Sequence, residues 1–413
     1  MQPVNHEIRS KEDLLNHFGS SQKLEIRDSE LMENLLEINV PPKVLEDVSN
    51  RNLLSFGQEF VQQTKELTFT GRKIEHIQLI SFLTNLTELN LSNNKISDIS
   101  TISKLKNLRI LDLNSNSIED IATLQSLPDL THLGLFYNKF TSYTVALPNL
   151  VELSLSCNNL QDKSGLQHSP KLERLDLSWT ETTDLRTIPH QLFGLKYLYL
   201  LSNNIKEISY LSNIVDLQCL NLGCNKQLQN IGPLKFCTLL IGLTFSTTNV
   251  SDIWPLQFMI NLKTLDMANT KVVYLHPLQK LNKLEKIIAY NACIIDVSPL
   301  FKLTKLDSLN LSLNKITNGE TLRHHPNFSK YNFSDQELPT KDELKYYKKI
   351  LSVHISQKQI RKIQVEKRIS KFRESITHQK LCINLKINEQ IQYMNKKIDI
   401  WVQFIHQNSN ADQ

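Results

Sequence analysis

The chain has 413 residues, 40% of them hydrophobic and 22% charged. That is enough for one large domain or two to three ordinary ones, and it excludes a disordered, charge-rich polymer. Ten glycines are about a third of the ordinary share, which argues against glycine-rich phosphate loops. The net charge of +5 hides an asymmetry: residues 341–413 carry 15 Lys and Arg against 7 Asp and Glu, and residues 1–340 carry 32 against 35. The basic character therefore belongs to the tail, and the chain has at least two parts. No run of 18 apolar residues occurs, so no transmembrane helix is expected. The stretch Met1–Arg9 is polar and lacks the basic start and apolar core of a secretory signal. Six cysteines (157, 219, 224, 237, 293 and 382) are scattered singly. Together these features predict a reduced, intracellular and cytoplasmic setting.

Residues 1–60 show no repeat and read as a partly helical N-terminal capping region. Ser10–Phe18 and Ser29–Glu37 are the predicted helices, with Ser10 as N-cap of the first and Pro41-Pro42 as a break.

From residue 61 to 330 the chain repeats itself. Leu86, Leu89, Leu91, Asn94 and Ile96 return 22 residues later as Leu108, Leu111, Leu113, Asn116 and Ile118. The middle leucine or isoleucine of each copy falls at 67, 89, 111, 133, 153, 175, 198, 220, 243, 265, 287 and 309, twelve copies in register. Two leucines separated by one residue predict a short strand that buries both and exposes the residue between them. The asparagine that follows predicts a ladder of side-chain bonds to the neighbouring turn. Asn94, Asn116, Asn138, Asn158, Asn203, Asn225 and Asn314 hold that place. Thr180, Thr248 and Thr270 replace it in part and Ala292 not at all, so a weaker ladder is expected near 248–292. The return half of each copy is too short for a long α-helix, so 3₁₀ turns are expected. Pro233, Pro255, Pro277 and Pro299 would fix them.

This pattern resembles the 22-residue leucine-rich repeat of phosphatase-regulatory subunits and bacterial internalins; Val250–Leu256 and Ile294–Leu300 carry the likeness most clearly. The resemblance implies an α/β solenoid. It would be a leucine-rich repeat horseshoe with a parallel concave sheet, short 3₁₀ or irregular convex elements and about twelve repeats, followed by an α-helical C-terminal region. It also implies a non-catalytic scaffold that binds a protein or peptide on its concave face, in one version as a regulatory subunit. A cytoskeletal or ciliary structural protein and a cell-surface adhesion protein are the alternatives.

The outward strand positions locate the expected binding surface. Large residues cluster in four consecutive repeats as Phe136, Tyr137, Trp179, Tyr197, Tyr199 and Leu201. His132, Glu152, Arg174 and Asp176 interleave with them. Such an aromatic, mixed-charge patch is the composition expected of an interaction site.

Residues 331–413 read as a basic helical tail. Asp335–Glu343 is the expected hinge and helix start, Leu344, Tyr347 and Leu351 share a helical face, and Ile387–Ile405 has heptad spacing. The tail is expected to self-associate, to pack as a hairpin or to dock an acidic partner or membrane surface, and nucleic acid is not the expected ligand. No phosphate-loop, dinucleotide, zinc-protease, nucleophile-elbow or calcium-loop motif occurs. No cofactor, metal or catalytic residue is therefore expected. His324-His325, adjacent in sequence, would point apart on extended chain and make no metal site.

Overall fold

The computed structural model describes residues 65–189, 192–337 and 340, and the backbone of residues 23–25. The helices expected in 1–60 and in 344–405 lie outside the described residues. Among the described residues, fourteen three- and two-residue strands form one parallel sheet, ordered as they occur in the chain. They are β1 (Lys23–Glu25), β2 (Glu66–Thr68), β3 (Glu88–Asn90), β4 (Ile110–Asp112), β5 (His132–Gly134), β6 (Glu152–Ser154), β7 (Arg174–Asp176), β8 (Tyr197–Tyr199), β9 (Cys219–Asn221), β10 (Gly242–Thr244), β11 (Thr264–Asp266), β12 (Lys286–Ile288), β13 (Ser308–Asn310) and β14 (Tyr331–Asn332). Middle residue pairs with middle residue throughout, as in Leu153↔Leu175 and Leu175↔Leu198. The sequence spacing is thus the sheet register.

Alternation explains the layering. The middle residues of β2 to β13 are buried, and the residue two further on, such as Leu91 or Leu113, is buried with them. The flanking strand positions face out. Each fully buried leucine contributes about 1.5–3 kcal/mol, but one repeat cannot close its own core and depends on its neighbours. The convex residues Ile99, Ile121, Leu185, Ile208, Ile253, Leu275 and Val297 close the core from the other side. The convex elements are short 3₁₀ turns as expected, and Pro233, Pro255, Pro277 and Pro299 sit in the first turn of four of them. An Asp or Asn two residues earlier often starts the turn by accepting a backbone N–H, as Asp98 does from Ser100 and Asp252 from Trp254.

The asparagine ladder follows from the same geometry. Asn116 is buried; its Nδ2 donates to the Leu91, Leu113 and Asn114 carbonyls at 3.0–3.3 Å, and its Oδ1 accepts from the Ile96 N–H at 3.0 Å. One side chain therefore satisfies groups of two turns. Thr180, Thr248 and Thr270 each donate to a carbonyl of their own turn at 2.7 Å, and Ala292 brings no polar side chain. The expected weakening is present. Part of the linkage moves to the turn's outer edge, where Asn291 donates to Asn269 at 2.8 Å and Asn269 to the Tyr290 hydroxyl at 3.3 Å.

The repeat pattern runs past the last leucine copy. Twenty-two residues after Leu309 stands Tyr331, the middle register partner of Leu309 in β14. Gln336 then does the work of the ladder asparagine: its Nε2 donates to Leu311, Phe333 and Ser334 carbonyls at 2.8–3.2 Å and its Oε1 accepts from Ile316 N at 3.3 Å. Asp335 and Gln336, expected to begin a hinge, instead form this turn. His325 is buried, with its ring bonded to the Leu303 carbonyl (3.1 Å) and the Tyr331 hydroxyl (2.6 Å). Only its neighbour His324 is exposed.

Candidate interaction surface

The strand register sets the surface. Glu152, Arg174 and Tyr197 are direct neighbours across β6, β7 and β8, as are Ser154, Asp176 and Tyr199 one row away. Arg174 is the hub. Its Nη1 donates to the Tyr199 hydroxyl at 2.7 Å, and its Nε lies 3.5 Å from Glu152 Oε1. Its guanidinium stands 4.1 Å from the Tyr197 ring centroid and 5.7 Å from that of Tyr199. Each such contact is worth little on a half-exposed surface, about 0.5–1 kcal/mol for the cation–π pair. Together they hold a flat cation and two rings in a fixed arrangement, which lowers the entropy a partner must spend on ordering them.

The structure brings Glu152, Arg174, Tyr197 and Tyr199 into one cluster. Phe136 and Tyr137 form a second pair, ring centroids 5.9 Å apart. His132 is engaged with the Thr131 hydroxyl at 2.9 Å. Asp176 is committed to its own turn, where its Oδ1 accepts from the Ser178 N–H at 2.9 Å. Asn90, Asp112, Asn221, Asp266 and Asn310 do the same at equivalent positions. The Asp or Asn between the strand leucines is therefore chosen first for the turn. Burial raises the Asp112 carboxyl above the usual range, and the Asn114 N–H partly offsets this. Leu201 is half-buried against Gly223, where an added Cβ would lie 3.0 Å from Leu201 Cδ1.

Trp179 and Tyr137 stand out for a backbone reason. Each repeat turn places the residue before the ladder position in left-handed conformation, with φ between 48° and 58° from Asn93 to Leu313. Asparagine, which tolerates this region, fills the place at 93, 269 and 291. Tyr137 and Trp179 do not suit it, yet are 63% and 57% exposed. Neither conformation nor core packing accounts for these two rings. Exposed Ile110, beside His132 in the register, extends the surface by one strand and was not singled out from sequence because it is a lone aliphatic among polar neighbours.

The comparisons agree with this architecture. Models of leucine-rich repeats match residues 84–126 (two copies) and 146–166. No curated relative matches the chain. An internalin of Listeria monocytogenes is similar in structure, with 30% identity, a TM-score of 0.54 and coverage of 68% of this chain and 76% of that one. A leucine-rich repeat protein of Leptospira interrogans shares the fold at 23% identity and TM-score 0.55, covering 68% and 80%. So does the ectodomain of the Arabidopsis thaliana receptor kinase GASSHO1, solved in complex with Casparian strip integrity factor 2, at 17% identity and TM-score 0.50, covering 66% and 38%. The chain belongs to the leucine-rich repeat proteins, whose solenoids are in general protein-binding scaffolds. No helix among the described residues is long and apolar enough to cross a membrane.

Proposed function

We propose that this protein is a non-catalytic scaffold that binds a protein or peptide on its sheet face, centred on Arg174, Tyr197 and Tyr199 and flanked by Trp179, Phe136 and Tyr137. The observation that carries the reading is the pair of exposed aromatic rings held in left-handed backbone at Tyr137 and Trp179, beside a guanidinium braced by one carboxylate and two tyrosines. Aromatic residues and arginine are the side chains that dominate binding energy at protein interfaces. Strands about 4.8 Å apart place the four repeats within about 15 Å, the reach of a short peptide segment. Role as a regulatory subunit, in an intracellular setting, is the specific form we favour. None of the five described cysteines is in a disulfide, in keeping with a reducing compartment.

The test is affinity capture from native lysate with the full chain and with a Trp179→Ala/Tyr199→Ala variant of equal melting temperature. A partner retained by the first and lost by the second supports the reading. Identical partner sets would reject the sheet face as the binding surface.

A further inference from the structure

A second surface lies on the flank where each 3₁₀ turn descends to the next strand. Every descent begins with a buried residue, Leu192, Ile214, Cys237 and Met259 in four successive repeats. The neighbouring positions point outward. In these four repeats they hold Phe193, Val215, Phe236, Leu239, Phe258 and Ile260, each 44–66% exposed. Ile241 adds to them at the strand entrance. At the position just after the buried residue, where the patch has Phe193, Val215 and Ile260, other repeats carry a polar residue or proline: Lys106, Pro128, Pro148 and Pro170 before the patch, Asn282 and Thr304 after it. The repeat consensus therefore does not require apolar residues here, and the core does not use them. Exposed apolar residues gathered in four successive repeats have the composition of a contact surface.

The border is charged on one side. Lys280, Lys283, Lys302 and Lys305 are exposed on the same flank in the next two repeats. Lys283 reaches back into the patch, where its Nζ donates to Asn261 Oδ1 at 2.8 Å. Lys235 Nζ lies 4.8 Å from the Phe236 ring centroid. Asp216 stands beside Val215, inside the patch. The surface is thus apolar over four repeats and basic over the two that follow. A partner that is apolar along the first stretch and acidic along the second is complementary to it. Residues 341–413 carry charge of the same sign as these lysines, and a second copy seated patch to patch would set lysine against lysine.

Spacing fits one partner element. Repeats advance about 4.8 Å each and an α-helix rises about 5.4 Å per turn. Over the four repeats, a helix offering one apolar side chain per turn stays in step with the patch to about 2 Å. We propose that this flank docks an acidic amphipathic helix of a partner protein, laid along the solenoid axis with its carboxylates over Lys280, Lys283, Lys302 and Lys305. This surface is separate from the sheet face and goes beyond the reading given above.

The test is fluorescence anisotropy with the full chain and a designed helix of about eighteen residues, leucine at i, i+4, i+7 and i+11 and glutamate elsewhere on its flanks. Controls are a scrambled peptide, a lysine-for-glutamate peptide and vesicles of phosphatidylserine and phosphatidylcholine. The acidic helix is expected to bind at least ten times more tightly than either control peptide. Phe236→Glu/Ile260→Glu, at exposed sites that leave the fold intact, should weaken it at least tenfold, and Trp179→Ala/Tyr199→Ala should not. Lys283→Glu/Lys305→Glu should reverse the preference toward the lysine peptide, a gain that misfolding cannot mimic. Absent or sequence-independent peptide binding overturns the proposal. Vesicle binding lost with Phe236→Glu/Ile260→Glu makes the occupant a membrane. Concentration-dependent dimerisation lost with the same variant makes it a second copy. Either result overturns the partner-helix reading.

Discussion

Two stretches of the solenoid hold the same fold by different means. From Asn94 to Asn158, an asparagine in every repeat, buried except for the half-buried Asn138, satisfies backbone groups of its own and the preceding turn. From Thr248 to Ala292 the hydroxyls reach only their own turn, or nothing polar is present, and bonds among Asn291, Asn269 and Tyr290 stand outside instead. The leucine core is equally complete in both. The lesson is that apolar spacing specifies the fold, while the ladder sets how firmly one turn is tied to the next. Exposed bonds compete with water and contribute less than buried ones.

That contrast can be tested in descending order of effect. Leu111→Ala and Leu265→Ala should each cost about 2–5 kcal/mol by denaturant unfolding, with similar values in the two stretches because both cores are complete. Asn116→Ala leaves several buried groups unpaired and should cost about 2 kcal/mol or more, while Thr270→Ala, losing one bond, should cost about 1 kcal/mol. Equal costs would remove the distinction between the stretches. Trp179→Gly relieves left-handed backbone and should leave stability unchanged or raise it by up to about 1 kcal/mol in thermal melts, while weakening partner capture. Asp112→Asn should give a small gain in melting temperature at neutral pH. Burial raises the folded carboxyl above its unfolded value, so the charged form destabilises the native state. The native state gains relative stability as pH falls through that window, and the advantage of the asparagine should disappear below about pH 4.

Much of this was legible in the leucine spacing. Strand positions, register, outward columns and the weak ladder at 248–292 all follow from a period of 22 residues. The last turn was not, because Tyr331, Phe333 and Gln336 replace Leu, Leu and Asn with residues of similar reach but different name. His325 escaped for the same reason: it stands where Leu303 stands one repeat earlier, and its ring needs Tyr331 to be satisfied. Within the interaction surface the composition of the cluster was readable, but the roles were not. Arg174 as hub depends on cross-strand distances, and Asp176 looked available until its turn contact was located. The flank patch was missed because its residues are spread over four repeats at positions that the repeat consensus leaves open.

The most direct test of the sheet-face account is hydroxyl-radical footprinting of the full chain, alone and with its captured partner. The account predicts that oxidation of Trp179, Tyr137 and Tyr199 falls sharply in the complex while that of exposed Phe301, which caps the convex 3₁₀ turn Ser298–Leu300, is unchanged. Trp179 remaining as reactive in the complex as in the free protein would contradict it.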